Sequence, residues 1–239
     1  MLTAVLPLLA IVAFSNWASA ATAVTPGSLV ITEVMPNPAY ASMGKGEWFE
    51  IFNASGGSIN LEGLVVRGQS GESFTIQDTF WFGTGDYAVI GAEGDDTGVR
   101  RMHVVYDRSQ MSLDNSSDSI SLVSEGVVVD SVSYDSSFRV QWGASLTLDP
   151  TLLTASENDS GASWCSAMST FGTGNLGTPG TANDACPQSL DALLPGELLI
   201  SELLIIPSRG DSGEWFEVRN TTAGTLRLDR TIEVSVTNT

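Results

Sequence analysis

The chain has one histidine, two cysteines and ten lysines and arginines among its 239 residues. Each shortage excludes a class of chemistry. The single imidazole, His103, would have to serve any Ser-His-Asp triad or histidine-rich metal centre. A zinc site made from His103, Cys165 and Cys186 lacks the closely spaced ligand pairs such sites use. Ten cations against 28 Asp and Glu leave a net charge of −18. The basic pairs are Arg100-Arg101 and the separated Arg227 and Arg230, too few to neutralise a phosphate backbone, so no nucleic-acid partner is expected. Rossmann, P-loop and nucleophile-elbow patterns are missing. Helical periodicity is nearly absent. Carboxylate-only chemistry survives these exclusions.

What is present begins with an export signal. Residues 1–17 are uncharged and nearly all apolar, and Ala18-Ser19-Ala20 supplies the small-x-small pattern of a cleavage site. The expected cut follows Ala20, with Ala21-Thr22-Ala23 as a second choice. A basic n-region is missing, since the first basic residue is Lys45. The run is shorter than the ~20 residues of a membrane helix. Cleavage therefore leaves no stable span, and the expected location is secreted or at the cell surface; an uncleaved anchor is the alternative. An oxidising compartment makes a Cys165–Cys186 disulfide the expected state, adding roughly 3 kcal/mol by constraining the unfolded chain.

The body reads as many short strands. Apolar, β-branched runs lie at 29–35, 48–53, 61–67, 73–76, 87–91 and 103–106, separated by Gly, Asn, Asp and Pro. Ser119–Val123 alternates polar and apolar, and Val127–Tyr134 resumes after Ser124-Glu125-Gly126, which is a hairpin signature. This spacing predicts an all-β sandwich or barrel. After Leu148 the composition shifts to Asp, Ser, Thr, Gly and Pro. Residues 149–187 read as an ordered, loop-like tail packed back on the sandwich, held by Trp164, Phe171 and the cysteine pair.

The chain also repeats itself. Gly27-Ser-Leu-Val-Ile-Thr-Glu-Val returns as Gly196-Glu-Leu-Leu-Ile-Ser-Glu-Leu. Gly46-Glu-Trp-Phe-Glu-Ile-Phe-Asn returns as Gly213-Glu-Trp-Phe-Glu-Val-Arg-Asn, in the same order and nearly the same spacing. The expected organisation is a signal peptide at 1–20, a sandwich at 25–187, a linker at 188–195 and a partial second repeat at 196–239. Truncation of the sequence, or pairing of the fragment with something else, would account for its open edge.

Five motifs in order carry a family resemblance. They are Leu29-Val-Ile-Thr-Glu-Val-Met-Pro-Asn-Pro, Gly46-Glu-Trp-Phe-Glu-Ile-Phe-Asn with Leu61-Glu-Gly-Leu, Leu113-Asp-Asn-Ser-Ser-Asp-Ser-Ile-Ser-Leu, Gly126-Val-Val-Val-Asp-Ser-Val-Ser-Tyr, and Gly177-Thr-Pro-Gly-Thr-Ala-Asn. The chain resembles the lamin tail domain in its bacterial secreted form over about 27–183, with a partial copy from 196. The resemblance implies an immunoglobulin-like β-sandwich and an accessory module of secreted or surface proteins, with no catalytic residues to carry over. The function it implies is non-catalytic extracellular binding or adhesion. The alternative is an accessory domain of an exported hydrolase (nuclease, phosphatase or protease) whose catalytic part lies outside this sequence.

Candidate sites follow from residue type. Glu33, Glu47 and Glu50 could pair as acid and base if held ~5–9 Å apart across a cleft. Their return as Glu202, Glu214 and Glu217 favours a repeated structural role instead. Asp114, Asn115 and Asp118 form a polar turn with hard oxygen donors, so calcium is the one cofactor the sequence suggests, though no EF-hand spacing is present and such residues also favour turns without metal. Trp48, Trp81, Trp142 and Trp164 could form a ligand-stacking surface or pack in the core; in Phe80-Trp81-Phe82 at most two of the three rings share a strand face, and Trp81 is the candidate ligand surface if exposed. The partner expected there is an unidentified extracellular protein or carbohydrate.

Overall fold

The computed structural model describes residues 23–39, 46–92, 98–138, 140–189, 193–205 and 213–227. The expected leader at 1–20 lies outside the described residues. The strands are β1 (Leu29–Met35), β2 (Trp48–Asn53), β3 (Ile59–Asn60), β4 (Val65–Gly68), β5 (Ser73–Thr75), β6 (Trp81–Phe82), β7 (Tyr87–Ala92), β8 (Val104–Tyr106) and β9 (Asp118–Ser124). They continue as β10 (Val127–Tyr134), β11 (Leu146–Leu148), β12 (Trp164–Ser166), β13 (Thr170–Phe171), β14 (Asn175–Leu176), β15 (Gln188–Ser189), β16 (Leu198–Leu204), β17 (Trp215–Asn220) and β18 (Leu226–Arg227). One 3₁₀ turn, Gly161–Ser163, is the helical element among the described residues.

Two sheets make a sandwich. One has the order β12-β11-β1-β2-β7-β8, the other β10-β9-β4-β5. Their facing sides bury one apolar cluster, in which Val30, Phe49 and Ile51 of the first sheet share a core with Val66, Ile120 and Leu122 of the second. Each such side chain is worth about 1.5–3 kcal/mol when fully buried. Every residue of β1 is buried, because β1 is central and its outer face is covered too; this explains why it reads as a continuous apolar run rather than an alternation. On that outer face Met35, Trp48 and Val89 form a second cluster against Val99, Met102 and Phe171.

The β9–β10 hairpin turns at Glu125-Gly126 with φ of 49° and 83°. Both values are positive, as a two-residue hairpin loop matched to strand twist requires, and glycine supplies the second without strain. The strand expected over 61–67 is divided. Leu64 N–H bonds back to the Leu61 carbonyl at 3.0 Å, closing a turn at Glu62-Gly63, and regular pairing begins at Val65. The 149–187 segment is mostly loop, as expected, but it also contributes β12, the edge strand that extends the large sheet. Trp164 is buried in the core and its Nε1–H donates to the Asn158 carbonyl at 2.8 Å. The Cys165–Cys186 disulfide is formed, with Cα atoms 5.7 Å apart. Further along, β16 pairs with β17 and β15 with β18.

Candidate functional site

The Glu33 and Glu50 carboxyls stand opposite each other on β1 and β2, beside a register shift between Ile31 and Glu33. Both are fully buried. Glu33 Oε1 accepts from the Ser145 hydroxyl and from Thr178 N–H at 2.9 Å, and Oε2 accepts from Thr178 Oγ1 at 3.1 Å. Glu50 Oε1 accepts from Thr32 Oγ1 at 2.9 Å and Oε2 from Gly180 N–H at 2.6 Å. The pair therefore clamps the Gly177-Thr-Pro-Gly segment against the outer face of the sheet. Gly177 is required there, since a Cβ would lie 2.8 Å from Glu33 Oε1 and 2.9 Å from the Phe171 ring.

Electrostatics agree with a clamp rather than an open acid–base pair. Burial pushes Glu33 up to about 7, against the pull of its hydrogen bonds to Ser145 and Thr178. Burial, and then the neighbouring Glu33 charge, raise Glu50 well above the usual carboxylate range. Glu47 is raised by burial and opposed by its bonds to Leu113 N–H (2.9 Å) and Arg108 (3.2 Å). It ties the 108–113 segment to the start of β2. The hydrogen bonds to Glu33 and Glu50 come from the Thr178 and Gly180 N–H groups of the clamp and from the Ser145, Thr178 and Thr32 hydroxyls.

The register shift in β1 carries its own polar network. Ile31 N–H donates to Asp130 Oδ2 at 2.6 Å, and Asn158 Nδ2 donates to Asp130 Oδ2 (2.8 Å) and to the Ile31 carbonyl (3.1 Å). Asn183 Nδ2 bridges the Thr32 carbonyl (2.8 Å) and the Leu148 carbonyl (2.9 Å). Sequence reasoning did not single out Asp130 or Asn183. The available signal was Asp130, a charged residue inside the apolar run of β10.

The remaining candidates divide. His103 Nδ1 accepts from Val89 N–H at 2.9 Å while the His103 backbone N–H donates to the Val89 carbonyl at 2.8 Å, so backbone and imidazole together fasten the start of β8 to β7. Burial and then the nearby Arg101 charge hold its pKa below the usual value. In the 114–118 turn, Asp114 Oδ1 accepts from Ser116 N–H and Oγ, and Asp118 accepts from Gln69, Asp114 and Ser119 N–H groups. Asn115 is exposed beside them. Among the described residues no three His, Cys, Asp or Glu side chains converge as a metal site.

Of the tryptophans, Trp48 and Trp164 are buried, while Trp142 is 67 % and Trp81 54 % exposed. Trp81 lies on β6, pointing away from Phe80 and Phe82, whose rings stack with centroids 6.1 Å apart. It borders a cleft of about 310 Å³ that also takes in Asp86, Tyr87, Arg101 and His103. An exposed aromatic face beside two polar rims and a cation is suited to holding a flat, hydroxylated or charged ligand.

The lamin tail domain family model matches residues 22–136, which contain β1 to β10 in the two-sheet arrangement described above. The chain carries a lamin tail domain. Its fold is immunoglobulin-like, and the observed sandwich is nearly all β. The large sheet of the lamin tail domain runs on past the matched span through β11 and β12, and the Glu33–Glu50 clamp closes on residues later still. No curated protein matches the chain.

Proposed function

We propose that this lamin tail domain is a non-catalytic binding module that works outside the cell, secreted or at the cell surface, and that the Trp81 corner is its contact surface. The observation that carries the reading is Trp81 itself, 54 % exposed at the rim of the cleft with Tyr87 and Arg101. Trp142 is exposed as well, and Trp81 is preferred because it lines this cleft, where a large aromatic ring beside polar and charged groups suits a contact surface. The carboxylates that could have run hydrolysis support the same reading, since Glu33 and Glu50 are buried and hydrogen-bonded to the clamp. The disulfide is in keeping with an oxidising compartment.

A carbohydrate array, followed by titration of Trp emission with each hit, tests the proposal. Binding that shifts the emission and is lost in Trp81→Ala, with the melting temperature unchanged to within about 2 °C, is the expected result. An array and a panel of extracellular-matrix proteins that give no Trp81-dependent binding would overturn it.

A further inference from the structure

β16 and β17 reproduce β1 and β2 pair by pair. Leu198↔Asn220, Leu199↔Arg219 and Ile200↔Val218 precede a register shift, followed by Glu202↔Glu217, Leu203↔Phe216 and Leu204↔Trp215. In the first copy the same places hold Leu29↔Asn53, Val30↔Phe52 and Ile31↔Ile51, the same shift, then Glu33↔Glu50, Val34↔Phe49 and Met35↔Trp48. The polar contacts repeat as well. Ser201 Oγ donates to Glu217 Oε1 at 2.5 Å as Thr32 Oγ1 donates to Glu50 Oε1 at 2.9 Å. Asn220 Nδ2 donates to the Gly224 carbonyl at 2.7 Å as Asn53 Nδ2 donates to Gly57 at 2.9 Å.

The surroundings of the two copies differ. β1 is flanked by β11 and β2 by β7, and the clamp segment covers their outer face. β16 and β17 pair only with each other among the described residues. Leu199, Ile200, Leu203, Leu204, Trp215 and Phe216 are 37–59 % exposed, whereas their counterparts Val30, Ile31, Val34, Met35, Trp48 and Phe49 are all buried. The register shift in β1 is satisfied by Asp130, Asn158 and Asn183. A copy of that shift calls for copies of those partners, because backbone groups left unpaired under an apolar cover cost about 1–3 kcal/mol each.

We infer that residues 196–227 open a second lamin-tail-type sandwich, covered by a polypeptide that supplies counterparts of β7, β11 and the Gly177-Thr-Pro-Gly segment, and that this polypeptide is a later part of the same chain. The order of the first unit decides the source. There β7, β11 and the clamp all follow β2 in sequence, and at the same spacing their counterparts fall after Thr239. A second copy of the chain is the poorer occupant, since it brings a charge of −18 to a face that already presents Glu202 and Glu217. The inference does not depend on what Trp81 binds.

Amide hydrogen exchange on the product of the full reading frame, beside the 239-residue chain, tests it. Amides of 198–204 and 215–220 are expected to exchange at least ~100-fold more slowly in the longer product. Leu203→Asp in the longer product is expected to return them to fast exchange while 29–53 stays protected. A reading frame that stops at Thr239 overturns the inference, as does equal exchange in the two products. Slow exchange of the hairpin in the 239-residue chain also overturns it, because cover then comes from its own residues or, if protection grows with concentration, from a second copy.

Discussion

Glu33 and Glu50 make the protein's stability depend on pH in an unusual direction. Both carboxyls are held above their ordinary value of 4.5, Glu33 at about 7, and burial is the first cause in each. Between about pH 4.5 and 7 the folded chain therefore binds more protons than the unfolded chain, and stability falls as the pH rises through that window. The exposed carboxyls held low by local hydrogen bonds, such as Asp107 and Asp114, work in the opposite sense but only below their usual 3.8. The urea midpoint is expected to be higher at pH 5 than at pH 8. Self-repulsion of an acidic chain pushes the same way, so Glu50→Gln is the control. It is expected to flatten the slope, and to cost about 1–3 kcal/mol at pH 5 because an amide N–H₂ then competes for the place that accepts Gly180 N–H. A midpoint that climbs with pH would contradict the assignment. Asn183→Ala strips the partner from the Thr32 and Leu148 carbonyls. A loss of about 1–3 kcal/mol per unpaired carbonyl, read by denaturant unfolding, is expected.

At the scale of elements, the disulfide and the clamp act on one stretch of chain. Cys165 sits on the edge strand β12, and Cys186 follows the Thr178–Asn183 contacts by a few residues. A Cys165→Ser, Cys186→Ser double variant is expected to lose roughly 3 kcal/mol, as a loop of 21 residues would suggest. Exchange in β12 and at Thr178–Gly180 is expected to rise before exchange in β9 and β10. Elements differed in how well the sequence announced them. β1, β2, β9 and β10 were legible from apolar runs and turn residues. β11 and β12 were not, because three-residue strands in a stretch rich in Ser, Thr and Gly carry no period to detect. The clamp was half legible. Glu33 and Glu50 read as structural from their repetition, but their clamp donors lie about 130–145 residues away at Gly180 and Thr178, and no local pattern links such distant positions.

At the scale of the molecule, the lamin tail domain is larger than the span that identifies it. Residues 22–136 hold β1 to β10, yet β1 takes a sheet partner from β11, and the Glu33–Glu50 face takes its cover from 177–183. A fragment of 22–136 is therefore expected to lack a cooperative unfolding transition and to bind a hydrophobic dye, whereas 22–189 is expected to unfold in one step. Cooperative unfolding of the shorter fragment would show that the later strands are an embellishment rather than part of the sandwich.

The Asn183 bridge has one more consequence, and it concerns time. Its side chain bonds the Thr32 carbonyl 151 positions earlier in the chain. A chain that emerges N-terminus first can pair β1 with β2 early, but the Thr32 carbonyl waits for its partner until nearly the whole unit is out. Until then two carboxyls and a register-shifted central strand stand without their cover, so the unit is completed by its last loop rather than by its first strands.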